Sequence, residues 1–186
     1  MWKARVTLVL VALLAAAGCE RRPDLEHPKR FDEGGVGFAY PGNWKVTAET
    51  SAEGAVTIRS ISLETPGAAL VMIEEFKPAI RVELREFLEK LLHHMNKFAA
   101  GKTRGLVTVE NLSSEPVQRH LLGETRAGLR YRFRMAALGE RVPHTFEGYS
   151  VALADRTLVL VAQAPDEDLH RVEAGFARIF ESVEVR

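Results

Sequence analysis

The 186-residue chain predicts an α+β domain of two or three layers, an antiparallel sheet with two substantial helices. Three observations predict it. Short runs with strand-like patterning recur from Phe31 onward. Pro-Gly turn signals separate several of them. Two longer stretches, residues 81–99 and about 167–180, instead repeat apolar residues every three or four positions, as a helix buried on one side does.

Taken in chain order, Lys3 and Arg5 form a short positive region, and residues 6–17 (VTLVLVALLAAA) are apolar except for Thr7. This run is shorter than the ~20 apolar residues that cross a bilayer and fits the ~7–15-residue core of a secretory signal. Ala15, Ala16, Ala17 and Gly18 lead to Cys19, the only cysteine. The stretch resembles a bacterial lipoprotein signal, whose lipobox is a large aliphatic residue, a small residue, Gly or Ala, then Cys. Ala17, Gly18 and Cys19 match, and Ala16 stands where Leu is usual. The resemblance implies that residues 1–18 are removed and that Cys19, now the first residue, is acylated on its sulfur and its new amino group. Two or more acyl chains are what stable anchoring needs, since one gives only marginal membrane binding. The alternative is an ordinary secretory signal cut nearby, with Cys19 incidental. A metal or reactive-thiol role lacks a neighbouring His or second Cys.

Residues 19–30 read as a solvated tether, charged and interrupted by Pro23 and Pro28. Glu20, rather than Asp, follows the cysteine, which favours outer-membrane sorting where the enterobacterial rule holds. Residues 31–186 then read as one domain. Residues 36–41 (VGFAYP) and 44–49 (WKVTAE) flank a Pro-Gly-Asn turn as a hairpin. Residues 55–64 and 68–76, separated by Thr65-Pro66-Gly67, extend it to a meander. In the helix at 81–99, Leu84, Phe87, Leu88, Leu91, Met95 and Phe98 form one stripe, Glu86 and Lys90 pair at i,i+4, and Gly101 stops it. Residues 106–111 and 129–135 alternate, residues 144–153 return beside the latter, and residues 157–164 (TLVLVAQA) are apolar on both faces, as in a strand covered on both sides. The last helix is capped by Asp166 and buries Leu169, Val172, Phe176, Ile179 and Phe180.

The precursor carries 25 basic and 25 acidic residues. Loss of residues 1–18 removes Lys3 and Arg5 and no acid, leaving a mature chain two charges negative. That balance argues against a nucleic-acid partner, which favours a basic domain. With one cysteine no internal disulfide forms, so the fold relies on packing.

The segments GVGFAYPGNWKV and FARIFESVEV resemble the two ends of the PsbP-like group, which includes the bacterial DcrB-type lipoproteins. The matching positions are Phe38, Tyr40, Pro41, Trp44 and Val46, then Ile179, Phe180, Ser182 and Val183. The resemblance implies an opening hairpin and an antiparallel sheet with helices packed on both faces, an α/β/α sandwich. It carries over no catalytic residue and no cofactor, since the group serves in accessory, assembly and binding roles. From the residues alone, Tyr40, Pro41 and Trp44 make a tight turn with aromatic flanks packed on the core.

Four patterns invite chemistry. GYSVA (148–152) nearly matches a nucleophile elbow, and Ser150, Asp166 and His170 follow a Ser–Asp–His order. An elbow needs strand, sharp turn and helix, whereas Ser150 sits inside an alternating run. His93 and His94 are adjacent on a helix and point apart, and Glu89 with His93 supplies only two ligands. Asp166, Glu167 and Asp168 suit the positive end of a helix dipole. Arg130, Arg132 and Arg134 share one sheet face at ~6.8 Å intervals. They form either an anion or partner surface or a solvated ladder. For the ladder, a turn at Gly139-Glu140 places Tyr149, Glu147 and Thr145 opposite Arg130, Arg132 and Arg134, and Phe146 opposite Phe133.

The reading that follows is a lipid-anchored, non-enzymatic envelope domain, with Cys19 as the attachment point and a protein partner or an assembly role. The second is a small-molecule or lipid-binding lipoprotein with a pocket between sheet and helix and the arginines at its mouth. The third is a serine hydrolase around Ser150. No metal and no cofactor is expected.

Overall fold

A computed structural model describes residues 22–102, 107–137 and 140–186. Cys19 and residues 1–18 lie outside the described residues, as do Gly139 and the side chain of Phe98.

Seven antiparallel strands form the main sheet, in the order β3 (Lys45–Glu53), β4 (Val56–Glu64), β5 (Leu70–Lys77), β9 (Thr157–Pro165), β8 (Glu140–Ala152), β7 (Glu124–Ala137) and β6 (Val107–Leu121). The predicted α+β class with an antiparallel sheet is the observed one. β9 is buried along its whole length, as residues 158–162, apolar on both faces, require of a covered strand, and its polar Gln163 is hydrogen-bonded to His144. Leu158, Leu160, Ala162 and Ala164 point to one face, and Val159 and Val161 to the other. Helix α1 (Leu84–Lys102) seals the second face through Leu88 and Leu92, against Tyr131, Phe133 and Phe146. Helix α2 (Asp166–Ser182) seals the first through Phe176, Ile179 and Phe180, against Tyr149, Val151 and Leu160. The helices therefore flank the sheet, as expected. The α1 stripe packs where predicted, and Lys90 pairs with Glu86 at 2.7 Å.

Several expectations are corrected. Residues 36–41 and 44–49 are not a hairpin. β2 (Val36–Tyr40) pairs instead with β1 (Lys29–Glu33) and β10 (Glu184–Val185) in a separate three-stranded sheet, while β3 opens the large one. Pro41–Trp44 is thus a corner between two sheets, closed by Trp44 N–H donating to the Pro41 carbonyl at 3.0 Å. The Trp44 ring rests on Gly175 of α2, where a Cβ would lie 2.6 Å from it, and packs edge-on against Phe176. Gly101 does not end α1, which runs to Lys102. Pro165, not Asp166, occupies the N-cap position of α2, and Asp166 is the first helical residue.

The stretch read as a tether is fastened to the domain from Arg22 onward. β1 starts at Lys29, inside it. Asp24 N–H donates to Asn43 Oδ1 (2.9 Å), Asn43 Nδ2 donates to the Arg22 carbonyl (2.8 Å), and Gly42 N–H donates to the Asp24 carbonyl (2.9 Å). A Cβ on Gly42 would lie 2.2 Å from the His27 carbonyl oxygen, so the corner needs glycine for the chain to pass over it.

A buried ion cluster ties the small sheet to the large one. Arg156 Nη1 donates to Glu75 Oε1 at 2.8 Å and to the Gly34 carbonyl at 3.2 Å, and its Nη2 donates to Asp155 Oδ2 at 2.8 Å. Arg59 Nε lies 2.9 Å from the other Glu75 oxygen. Its N–H is not aimed there, so this contact is an ion pair rather than a hydrogen bond.

Candidate functional site

The arginine stripe lies on the α2 face of β7, because Tyr131, Phe133 and Met135, one step out of phase, pack into the α1-side core. The ladder is shifted from the expected register. Arg130 stands opposite Glu147, Arg132 opposite Thr145, Arg134 opposite Pro143 and Phe133 opposite His144. The shift is two residues, because Ala137 pairs directly with Glu140, and an even shift keeps every side chain on its face. The cross-strand ion pair therefore forms, with Arg130 rather than Arg132 as its cation.

On the other side, a bulge in β6 between Asn111 and Ser113 brings Glu115 opposite Arg130. Arg130 is thus held in one row between two acids. Its Nε donates to Glu147 Oε1 at 2.7 Å, Nη2 donates to the same oxygen, and Nη1 donates to Glu115 Oε1 at 3.2 Å. Glu147 Oε2 accepts from the Tyr149 hydroxyl at 2.9 Å and from Arg119 Nη2 at 3.3 Å. Arg119 lies over the Phe180 ring, 5.1 Å from its centroid, and 6.0 Å from that of Tyr149. Burial by itself would raise the Glu147 carboxyl. Hydrogen bonds from Arg130 and Tyr149 and the charges of both arginines outweigh it and hold the group below its usual range. Burial also pushes the Tyr149 hydroxyl up.

Between this cluster and α2 is a cavity of about 40 Å³, lined by Arg119, Arg130, Glu147 and Phe176 among others. It has room for a few waters, against the roughly 300 Å³ at which small-molecule pockets begin. Toward the end of β7 the stripe opens to solvent. Arg132 is 55% exposed and lies 3.6 Å from Glu115, and Arg134 is exposed. Arg119 was not among the sequence candidates, since the strand read at residues 106–111 in fact runs to Leu121. Its place between Val117 and Leu121, two residues to either side and so on one strand face, was the signal available for it.

The other candidates are not brought together. Gly148 faces Leu88 of α1, so Ser150, two residues on, shares the α1 side. His170 belongs to α2 on the opposite side and is exposed. Asp166 accepts a hydrogen bond from Thr145 at 2.8 Å. Sheet and core therefore separate Ser150 from the other two members of the sequence-order triad. Glu89 accepts from the Tyr131 hydroxyl at 3.2 Å, and Asp168 pairs with Arg171 at 3.2 Å. Among the described residues no group of three metal-ligating side chains converges, and no helix is long and apolar enough to cross a membrane.

No family model matches the chain, and no curated protein matches it. Among solved structures it is similar to the cyanobacterial PsbP (CyanoP) of Synechocystis sp. PCC 6803, with 12% identity and a TM-score of 0.49 over 93% of this chain and 99% of that one. It is also similar to LpqN, involved in cell envelope biogenesis of Mycobacterium tuberculosis, with 11% identity and a TM-score of 0.40 over 86% of this chain and 90% of that one. Likeness at this level assigns neither a family nor a function.

Proposed function

We propose that this chain is a lipid-anchored, non-enzymatic domain of the bacterial cell envelope, PsbP-like in kind, that binds a protein partner or serves in assembly. One observation carries the reading: a positive region, an apolar run and Ala17-Gly18-Cys19 follow one another at lipoprotein-signal spacing. Such an anchor would hold the domain on the periplasmic or outer side, and Glu20 in place of Asp after the cysteine favours the outer membrane where there is one. Labelling with an alkynyl palmitate in living cells tests it. The wild-type protein takes up the label and Cys19→Ser does not; label persisting in Cys19→Ser overturns the anchor.

The geometry of the arginines supports a surface role over a pocket. Arg119 and Arg130 are engaged by Glu147 around a cavity of about 40 Å³, whereas Arg132 and Arg134 face solvent. The partner surface is therefore assigned to the open end of the stripe. A photo-crosslinker at position 113, exposed and opposite Arg132, should capture a single protein in the envelope, and Arg132→Glu with Arg134→Glu should abolish that capture without changing the melting temperature. Capture unaffected by both reversals removes the stripe from the interface.

A further inference from the structure

We propose that the domain stands directly on the membrane surface on its Pro41–Trp44 corner, held there by a leash of only three peptide units. The inference rests on Cys19 being the acylated residue.

The chain between Cys19 and Arg22 spans three peptide units, which reach at most about 11 Å when fully extended. From Arg22 onward the backbone is not free. Asn43 holds it from both sides, accepting from Asp24 N–H and donating to the Arg22 carbonyl, and Gly42 N–H holds the Asp24 carbonyl. The Asp24 carboxylate in turn accepts from His27 N–H at 3.0 Å, closing a turn over Gly42. Pro23 and Pro28 restrict the segment further.

A free twelve-residue tether over residues 19–30 would reach about 40 Å and let the domain tumble. The fastened segment leaves about a quarter of that. The corner of the fold, rather than the far end of the sheet, then meets the headgroups. Arg22 and Lys45, both exposed and flanking the Asn43 bridge, present cations toward an anionic lipid surface there. Glu53, at the other end of β3, is eight strand steps from Lys45, roughly 26 Å away.

The acylated protein, purified from bacterial membranes and placed in phosphatidylethanolamine–phosphatidylglycerol vesicles carrying a headgroup nitroxide, tests this. The acylated Cys19 sulfur does not react with a thiol dye, so Lys45→Cys and Glu53→Cys each take a single fluorophore. Quenching should be several-fold stronger at position 45 than at position 53. Ten Gly/Ser residues inserted between Glu20 and Arg21 should erase the difference, and Asn43→Ala should reduce it while speeding amide exchange at Asp24. Equal quenching at the two positions in acylated protein overturns the orientation, and a difference that survives the insertion overturns the short leash as its cause; both leave the anchor standing. A mass spectrum of the purified protein without acyl groups overturns both, so the two failures are told apart.

Discussion

Glu75 neutralises the two buried arginines of the cluster between the sheets, and removing its charge should destabilise the fold. Its side chain is 7% exposed, that of Arg156 is 5% and that of Arg59 is 12%. The carboxylate is shared, with one oxygen 2.8 Å from Arg156 Nη1 and the other 2.9 Å from Arg59 Nε. Arg156 keeps other partners in Asp155 and the Gly34 carbonyl. Arg59 is less protected, because its Nε and Nη2 are buried and make no hydrogen bond. Glu75→Gln therefore strands the Arg59 charge in the interior and turns an amide donor toward one of two donors. Breaking a buried pair in this way costs about 3–5 kcal/mol. At roughly 3 °C per kcal/mol for a chain of this length, the melting temperature should fall about 10–15 °C. Arg59→Met in the Glu75→Gln background should recover part of the loss, because it removes the uncompensated charge while filling the volume. Thermal and urea unfolding of the four proteins of that cycle check it. A Glu75→Gln shift under 3 °C, or a double variant no better than the single, would refute the reasoning.

Two groups on the α1 face give opposite pH slopes. Burial pushes His144, stacked on Phe133 and hydrogen-bonded to Gln163, down to about 4. It is folded as the neutral ring, so its contribution is present above pH ~6.5 and is lost as pH falls toward 4, about 3 kcal/mol in all. Burial raises Glu74, against an opposing hydrogen bond from Ser60, to about 7. Its contribution is present below pH ~4.5 and is lost as pH rises through 7. Urea unfolding of the wild type should therefore vary little between pH 4.5 and 6.5, with Glu74→Gln exposing a rising profile and His144→Gln a falling one; parallel profiles in all three proteins contradict the assignments. Gly175→Ala drives a methyl group into the Trp44 ring and should lower stability by about 1–3 kcal/mol in the same assay, whereas a neutral result would mean that the corner packs differently.

The parts of the fold legible in the sequence are those where one physical rule dominates. β9 announced itself because a central strand must be apolar on both faces, and α1 and α2 because a helix covering a sheet shows a stripe. Trp44 was legible as a core residue but not as a corner, since a Pro-Gly-Asn turn fits a hairpin and a change of sheet equally well. Only the fit of the indole on Gly175, 131 positions later, decides between them. β1 was hidden because four of its five residues are exposed, leaving Phe31 as the only apolar signal. The docking of residues 22–27 uses backbone groups and one asparagine, which leave no periodicity to read. At the candidate site, alternation placed the arginines on one face, but the register depended on which residues close the turn, and that is a local geometric choice two residues wide.

That register decides what the inner arginines do, and the consequence can be tested. Glu147 answers Arg119, Arg130 and Tyr149 with two oxygens, and the side chain of Arg119 is only 23% exposed. Glu115 remains for Arg130 if Glu147 is removed, so Arg119 is the charge left without compensation. Glu147→Ala should cost about 3 kcal/mol in chloride, from the lost charged hydrogen bonds and the stranded guanidinium. It also widens the adjoining cavity and leaves two cations facing it. Phosphate should then return part of the loss, about 1.4 kcal/mol when its concentration is ten times its dissociation constant. The wild type, with Glu147 in place, should gain only the general stabilisation that an excluded salt gives, in parallel with Arg130→Met. A saturable phosphate effect in the wild type that Arg130→Met lacks would make the inner arginines an anion site after all. A Glu147→Ala protein as stable as the wild type would mean that the row Glu115–Arg130–Glu147 does not hold β6, β7 and β8 in register.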